Sequence, residues 1–326
     1  MRRTKIIATY GPSLHRHLAE ACKKVDVIRV NFSHNNEETW AAMKEHVVRT
    51  IKDSGRKITL LADLPGPKVR VGLLDESIHV KTGEEVCFGY AQTKLDGFVP
   101  VNYEGLYRDA KKGATIIIGD GEPRFRIERI LGKKIYATAL ANGAIGSKKG
   151  VSLSGASISL PVPTVEDIRL ADFLAGEGFG WMAISFVRDA AQVDELRKHA
   201  GKDSIVSKIE RREAIENIDE IAKRSDILMV ARGDLGLDMK MEEVPMAQRK
   251  IIEAAKRHRK PVIIATQVLT SMIENPIPTR AEVNDIASGV LSGADYIMLS
   301  DETTIGKHPL EAIDVLDRVI TEIEKY

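Results

Sequence analysis

Cysteine is scarce in this chain. Cys22 and Cys87 are the only two in 326 residues, and neither has a Cys or His nearby at zinc-ligand spacing. That excludes a disulfide scaffold and a zinc ribbon. It fits a reducing compartment in which each thiol is a small buried apolar group. Net charge is lacking too. The 48 Lys and Arg against 47 Asp and Glu leave +1, so no broad field marks a nucleic-acid or membrane partner. No apolar run reaches the roughly 20 residues that cross a bilayer. The stretch behind Met1-Arg2-Arg3-Thr4 is too short for a signal-peptide core and leads into a strand pattern. Low-complexity tracts and short solenoid repeats are missing as well. A cytoplasmic protein is expected.

What is present is the balance of an ordinary globular chain, 43% hydrophobic and 29% charged. Eight short apolar runs read as strands: 5–10, 27–32, 58–64, 181–186, 204–209, 226–230, 261–265 and 296–299. Segments with Leu, Ile and Ala at three- and four-residue spacing follow most of them, at 37–52, 165–175, 190–199, 212–223, 246–259, 280–292 and 310–325. Strands alternating with helices imply parallel pairing, and eight such units predict an α/β fold closed into a (β/α)8 barrel. The rhythm breaks between residues 69 and 160. There, short β-like pieces (78–80, 85–88, 115–118, 125–130, 134–139) are separated by turn residues such as Asp96-Gly97, Asp120-Gly121 and Leu131-Gly132. The expected organisation is a barrel of residues 1–68 and 161–326, with a small all-β barrel domain inserted after the third strand.

A barrel of this kind carries its chemistry at the C-terminal ends of its strands, and here those ends are polar. In Ile28-Arg29-Val30-Asn31-Phe32-Ser33-His34, strand alternation puts Arg29, Asn31 and Ser33 on one side. Lys208 and Glu210 share a face at the end of the fifth strand, Asp63 closes the third, and Asp234 follows the sixth within Ala231-Arg232-Gly233-Asp234. Three carboxylates converging with two cations would repel one another unless a further positive charge sat among them. A divalent ion with hard oxygen ligands, magnesium or manganese, is the expected solution. A structural ion-pair cluster is the competing explanation. The Gly-Asp-Leu-Gly segment reads as an anion-facing turn or as a plain one.

These residues resemble the pyruvate kinase family. The resemblance rests on Thr4–Ser13, Arg29–His34, Ser207–Glu210, Met229–Gly236, Ala265-Thr266-Gln267, Pro278–Glu282 and Met298–Thr303 in that order and spacing. It extends to the insertion, where Gly146–Gly150 is similar to the family's lid motif. It implies phosphoryl transfer from phosphoenolpyruvate to ADP, giving pyruvate and ATP. It further implies that Glu210 and Asp234 hold Mg2+ or Mn2+, and that a second magnesium arrives with ADP. Lys208 would stabilise the transferring phosphoryl group and the enolate left behind, and Arg29 would grip the phosphate. Gly233, Asp234 and Thr266 would hold the substrate's carboxylate. Pro12, Asn31, His34, Arg70 and Lys149 would face the nucleotide, while Ser300, Thr266 and Glu302 are candidates for a water-relayed proton path. The family's monovalent-cation site maps to Asn31, Ser33, Asp63 and the carbonyl of Leu64.

The sequence departs from the family pattern in places. Asp63 is followed by Leu64-Pro65-Gly66-Pro67-Lys68. A lysine at the last position resembles members that work without potassium, its ammonium replacing the ion, so potassium independence is expected. Asp301 and Ser152 stand where the family has Gly and Asn. The family's C-terminal allosteric domain is expected to be absent, and a homo-oligomer is expected through barrel–barrel contacts near Arg280. Two other functions compete. A metal-dependent aldolase or lyase on a 2-oxo acid would share the Glu and Asp but would need neither the insertion nor Lys68 and Lys149. A catalytically impaired kinase-like protein would have lost residues that are all present here.

Overall fold

A computed structural model of the chain describes residues 2–93, 97–119 and 121–326. Asp96 and Asp120, expected in turns, lie outside the described residues. The chain divides into two compact units, Met1–Gly66 with Val162–Arg232 and Val244–Tyr326, and Pro67–Pro161 with Gly233–Glu243.

The first unit is a closed barrel of eight parallel strands: β1 (Lys5–Thr9), β2 (Val27–Asn31), β3 (Thr59–Asp63), β4 (Trp181–Ile184), β5 (Ser204–Ile209), β6 (Ile227–Ala231), β7 (Val262–Ala265) and β8 (Tyr296–Leu299). Each strand pairs with its neighbours in sequence. β3 pairs with β4 across the insertion, and β1 pairs with β8 to close the ring. Burial on both faces is why the strands read as continuous apolar runs. The interior is filled by Ile7, Leu61, Ala183, Val206, Met229, Ile263 and Met298, among others. Trp181 and Tyr296 meet edge to face, with centroids 5.1 Å apart, at the strand starts. Such a pair adds about 1 kcal/mol beyond its area. The apolar filling thus occupies the N-terminal end, and the polar residues of the strands gather at the other.

Helix starts follow local chemistry. Asn36, Thr164 and Thr279 each accept the backbone N–H three residues on, while the side chain there reaches back. Each such cap contributes about 1 kcal/mol. Gly293, at φ 95°, ends helix Arg280–Ser292 in the left-handed conformation.

The elements differ from expectation at particular residues. β2 stops at Asn31 because its Oδ1 accepts the Ser33 N–H at 3.0 Å and turns the chain, so Ser33 is not a strand residue. The helix expected over 212–223 is two, Arg212–Glu216 and Ile218–Arg224. They are separated by Asn217, whose φ −98° and ψ 17° are not helical and whose amide donates to the Arg188 carbonyl at 2.9 Å. Gly233–Gly236, expected as a turn, lies within helix Arg232–Asp238, with Asp234 in its first turn, where a carboxylate complements the helix dipole.

In the second unit a six-stranded sheet runs in the order Val151–Ser154, Thr115–Ile118, Arg124–Leu131, Lys134–Ala139, Glu85–Tyr90, Val99–Val101. Arg70 bridges to Gly150 and Val71 to Val101. One short segment therefore links the two edge strands and covers their unpaired backbone groups. A two-stranded antiparallel sheet of Ile78–Val80 with Gly143–Ile145 and a short helix, Leu106–Asp109, accompany it in this unit. Its core is built around Phe88 and Phe125, 5.1 Å apart.

Candidate active site

Four charged side chains meet at the C-terminal end of the barrel, where β2, β3 and β5 finish. Arg29 Nε donates to Asp63 Oδ2 at 2.7 Å. Lys208 Nζ lies 3.2 Å from Asp63 Oδ1 and 3.0 Å from Glu210 Oε1. The group is dry: Asp63 is 1% exposed and Glu210 0%. Two cations face two carboxylates, so the repulsion foreseen among the acids is already balanced within the chain. Asp63 joins both cations. Burial alone would push its carboxyl up, but Lys208 and then Arg29 outweigh that and hold it below the ordinary value of 3.8.

Neighbouring strand ends hold this cluster in place. Ser185, directly after β4, accepts from Lys208 Nζ at 2.8 Å and donates to the Leu64 carbonyl at 2.7 Å. Phe186, at φ 57°, donates its N–H to Glu210 Oε2 at 2.5 Å. Gly66 lies against this turn at φ 67°, and a Cβ there would come within 2.8 Å of the Ser185 Cβ, so only glycine fits. Ser185 is a site residue missed from sequence; its signal is a small polar residue directly after a buried strand. Arg29 Nη1 also donates to Thr9 Oγ1 at 3.0 Å, and Thr9 Oγ1 donates to the Leu299 carbonyl at 2.8 Å. Thr303 Oγ1 accepts the Thr9 N–H and donates to its carbonyl, at 3.0 and 2.9 Å. Thr9 is therefore a second residue missed from sequence.

At the ends of β7 and β8, Glu302 is 2% exposed. Both its oxygens are engaged, by the N–H of Leu269 at 2.9 Å and of Ser300 at 2.7 Å. It works as a strut between two loops. The Ser300 hydroxyl is buried with no hydrogen-bond partner. Thr266 follows β7 at φ 66°, and its hydroxyl donates to the Ala265 carbonyl at 2.6 Å. A non-glycine residue in that conformation costs about 1–3 kcal/mol and persists only when its surroundings enforce it.

The structure thus brings together Arg29, Asp63, Lys208 and Glu210. Asn31 ends β2 beside them in the chain, and Leu64 supplies a carbonyl to Ser185. Pro12 opens the short helix Pro12–His15, and both Pro12 and His34 are exposed. Lys68, Arg70, Lys149, Gly233 and Asp234 belong to the second unit. There Arg70 Nη1 donates to the Lys148 carbonyl at 2.7 Å. Lys149 lines a pocket of about 430 Å3 with Gly119, Gly121, Glu122 and Arg124. The Lys68 carbonyl accepts from Asn102 Nδ2 at 3.4 Å. Among the described residues, no three His, Cys, Asp or Glu side chains form a group that could hold a metal ion. No helix among them is long and apolar enough to cross a membrane.

Comparison with known proteins identifies the family. Residues 1–313 match the family described as pyruvate kinase, barrel domain. A pyruvate kinase of Thermotoga maritima is 40% identical over 342 aligned positions, covering 100% of this chain and 72% of its own length. One from Mycobacterium tuberculosis is 38% identical, with 99% and 71% covered. The crystal structure of a pyruvate kinase from Cryptosporidium parvum superposes with a TM-score of 0.93 at 32% identity, over 99% of this chain and 70% of that one. The eight-stranded barrel, its polar mouth and these matches lead to one conclusion: the chain belongs to the pyruvate kinase family of phosphotransferases.

Proposed function

We propose that this chain moves a phosphoryl group from phosphoenolpyruvate to ADP, and that the enolpyruvate left behind is then protonated to pyruvate. The observation that carries this reading is the buried Arg29–Asp63–Lys208–Glu210 cluster at the barrel mouth. Phosphoryl transfer needs alignment and fixed positive charge more than covalent help. Arg29 and Lys208 supply that charge on rigid strands, in a largely buried site, and Asp63 fixes the spacing between them. Arg29 grips the phosphate. Lys208 stabilises charge on the group in flight and on the enolate oxygen. Thr266, with the backbone of Gly233 and Asp234, holds the carboxylate. Ser300, with its unpartnered hydroxyl, Thr266 and Glu302 are the candidates for a water-relayed proton path.

The donor chemistry suits a divalent ion. Glu210 offers buried hard oxygens, and the four-charge cluster is neutral by itself, so an added cation would be balanced by the anionic substrates. Glu210 and Asp234 would hold Mg2+ or Mn2+, which would supply charge neutralisation at the phosphate and enolate oxygens. Pro12, Asn31, His34, Arg70 and Lys149 would face the nucleotide. Lys68 would replace potassium beside Asn31, Ser33, Asp63 and Leu64. Homo-oligomerisation through the exposed Arg280 region and a cytoplasmic location belong to the same proposal.

Pyruvate formation from phosphoenolpyruvate and ADP, followed by a coupled assay, tests it. Activity that requires a divalent ion and vanishes in Lys208→Met is expected, and an active Lys208→Met would sink the reading. Replacing potassium by tetramethylammonium should change the rate less than about tenfold, a barrier change below about 1.4 kcal/mol; a larger loss would refute the role given to Lys68.

A further inference from the structure

The turn that follows β7 is held by one side chain. Thr266 and Gln267 both sit in the left-handed region, at φ 66° and 53°. Neither is glycine, and threonine, being β-branched, is poorly suited there. Arg232, the first residue after β6, spans the turn. Its Nε and Nη2 donate to the Thr266 carbonyl at 3.1 and 2.8 Å, and Nη2 also donates to the Gln267 carbonyl at 2.9 Å. Nη1 pairs with the Asp285 carboxylate on helix Arg280–Ser292. Every nitrogen of the guanidinium is engaged, and the side chain is only 10% exposed.

We infer that Arg232 is a positioning residue for Thr266, with Asp285 setting the angle of its guanidinium. The role given to Thr266 rests on the phosphotransfer reading above. A backbone locked at φ 66° fixes the Cα–Cβ direction of the threonine, and the hydroxyl's bond to the Ala265 carbonyl sets its rotamer. Without the fork, the turn would relax toward ordinary dihedrals and carry the hydroxyl with it. A lysine keeps the charge but is a point donor that cannot span two carbonyls and a carboxylate together. Arg232 thereby links the sixth and seventh strand ends and makes the geometry of one depend on the other.

The test is a double-mutant cycle on pyruvate formation, with Arg232→Lys, Thr266→Ala and both together. Arg232→Lys should lower kcat at least tenfold and leave the KM for ADP within twofold. In the Thr266→Ala background the same change should cost less than twofold, because the group it positions is gone. A merely structural arginine would cost the same factor in both backgrounds, and that outcome overturns the inference. If Arg232→Lys loses the fold, Asp285→Asn takes its place in the cycle and is judged by the same criterion. An inactive wild type overturns the phosphotransfer reading and this inference together; an active wild type with equal losses overturns the inference alone.

Discussion

Asp63→Asn removes the charge that joins the two cations and leaves the volume unchanged. The oxygens of Asp63 lie 2.7 Å from Arg29 Nε and 3.2 Å from Lys208 Nζ. At an effective dielectric constant near 20, those separations correspond to attractions of about 6 and 5 kcal/mol. The desolvation already incurred offsets most of that. What the substitution exposes is a buried guanidinium that has lost its carboxylate, while Lys208 keeps Glu210. Breaking one side of a buried pair costs about 3–5 kcal/mol, and that is the expected loss of unfolding free energy at neutral pH. The assay is urea unfolding followed by tryptophan fluorescence. Both tryptophans, Trp40 and Trp181, lie in the barrel unit, so the signal reports that unit alone. The carboxyl sits below its ordinary value of 3.8. Its stabilisation is therefore present above that value and lost as pH falls through the lowered one. The gap between wild type and variant should hold steady from pH 8 to about 5 and close only in stronger acid. Adding Arg29→Met should cost no more than Asp63→Asn alone, since it removes the stranded charge. A loss under about 1 kcal/mol for Asp63→Asn would refute the claim that this is a tightly coupled buried site.

Other outcomes follow from the same contacts. Ser185→Ala strips a hydroxyl that holds Lys208 and caps the Leu64 carbonyl; pyruvate formation should fall about tenfold, equivalent to about 1.4 kcal/mol, while far-ultraviolet circular dichroism stays unchanged. Glu302→Gln leaves one of two backbone amides facing an NH2 group, so the fluorescence-detected midpoint should correspond to a loss of about 1–3 kcal/mol, and full stability would contradict the strut role. Asp203 carries a buried oxygen without a hydrogen-bond partner, and burial pushes its carboxyl up to about 6. Its ionisation therefore opposes folding above that pH and ceases to do so as pH falls toward 3.8. Asp203→Asn should raise the melting temperature at pH 8 and leave it unchanged near pH 4, as scanning calorimetry can check; an unchanged value at both would show the group to be well solvated.

The barrel was legible because its periodicity is strong: buried strands read as apolar runs, and the helices between them have one apolar stripe. Boundaries were less so. Nothing in a hydrophobic pattern announces that Asn31 will turn back on Ser33, or that Asn217 will leave the helix to reach Arg188, since both depend on one side-chain amide finding a backbone partner. In the site, the charged residues stood out because charge at the end of an apolar strand is rare. Thr9, Ser185 and Arg232 did not, for different reasons. Thr9 is the last residue of β1 and Ser185 directly follows β4, and a small hydroxyl at a strand end does not interrupt an apolar run. Arg232 opens a helix, Arg232–Asp238, whose glycines read as a turn. Their importance lies in partners distant along the chain, such as Leu299 for Thr9 and Asp285 for Arg232.

The seam between β1 and β8 has a consequence for biosynthesis. Thr9 braces Arg29, and its own hydroxyl is anchored on Leu299, 290 residues later. A ribosome therefore releases Arg29, Asp63, Lys208 and Glu210 well before the last anchor of that brace has been made. A nascent chain halted ahead of the eighth strand would hold every charge of the cluster on an open ring, with the oldest part of the polypeptide waiting for the youngest to finish it.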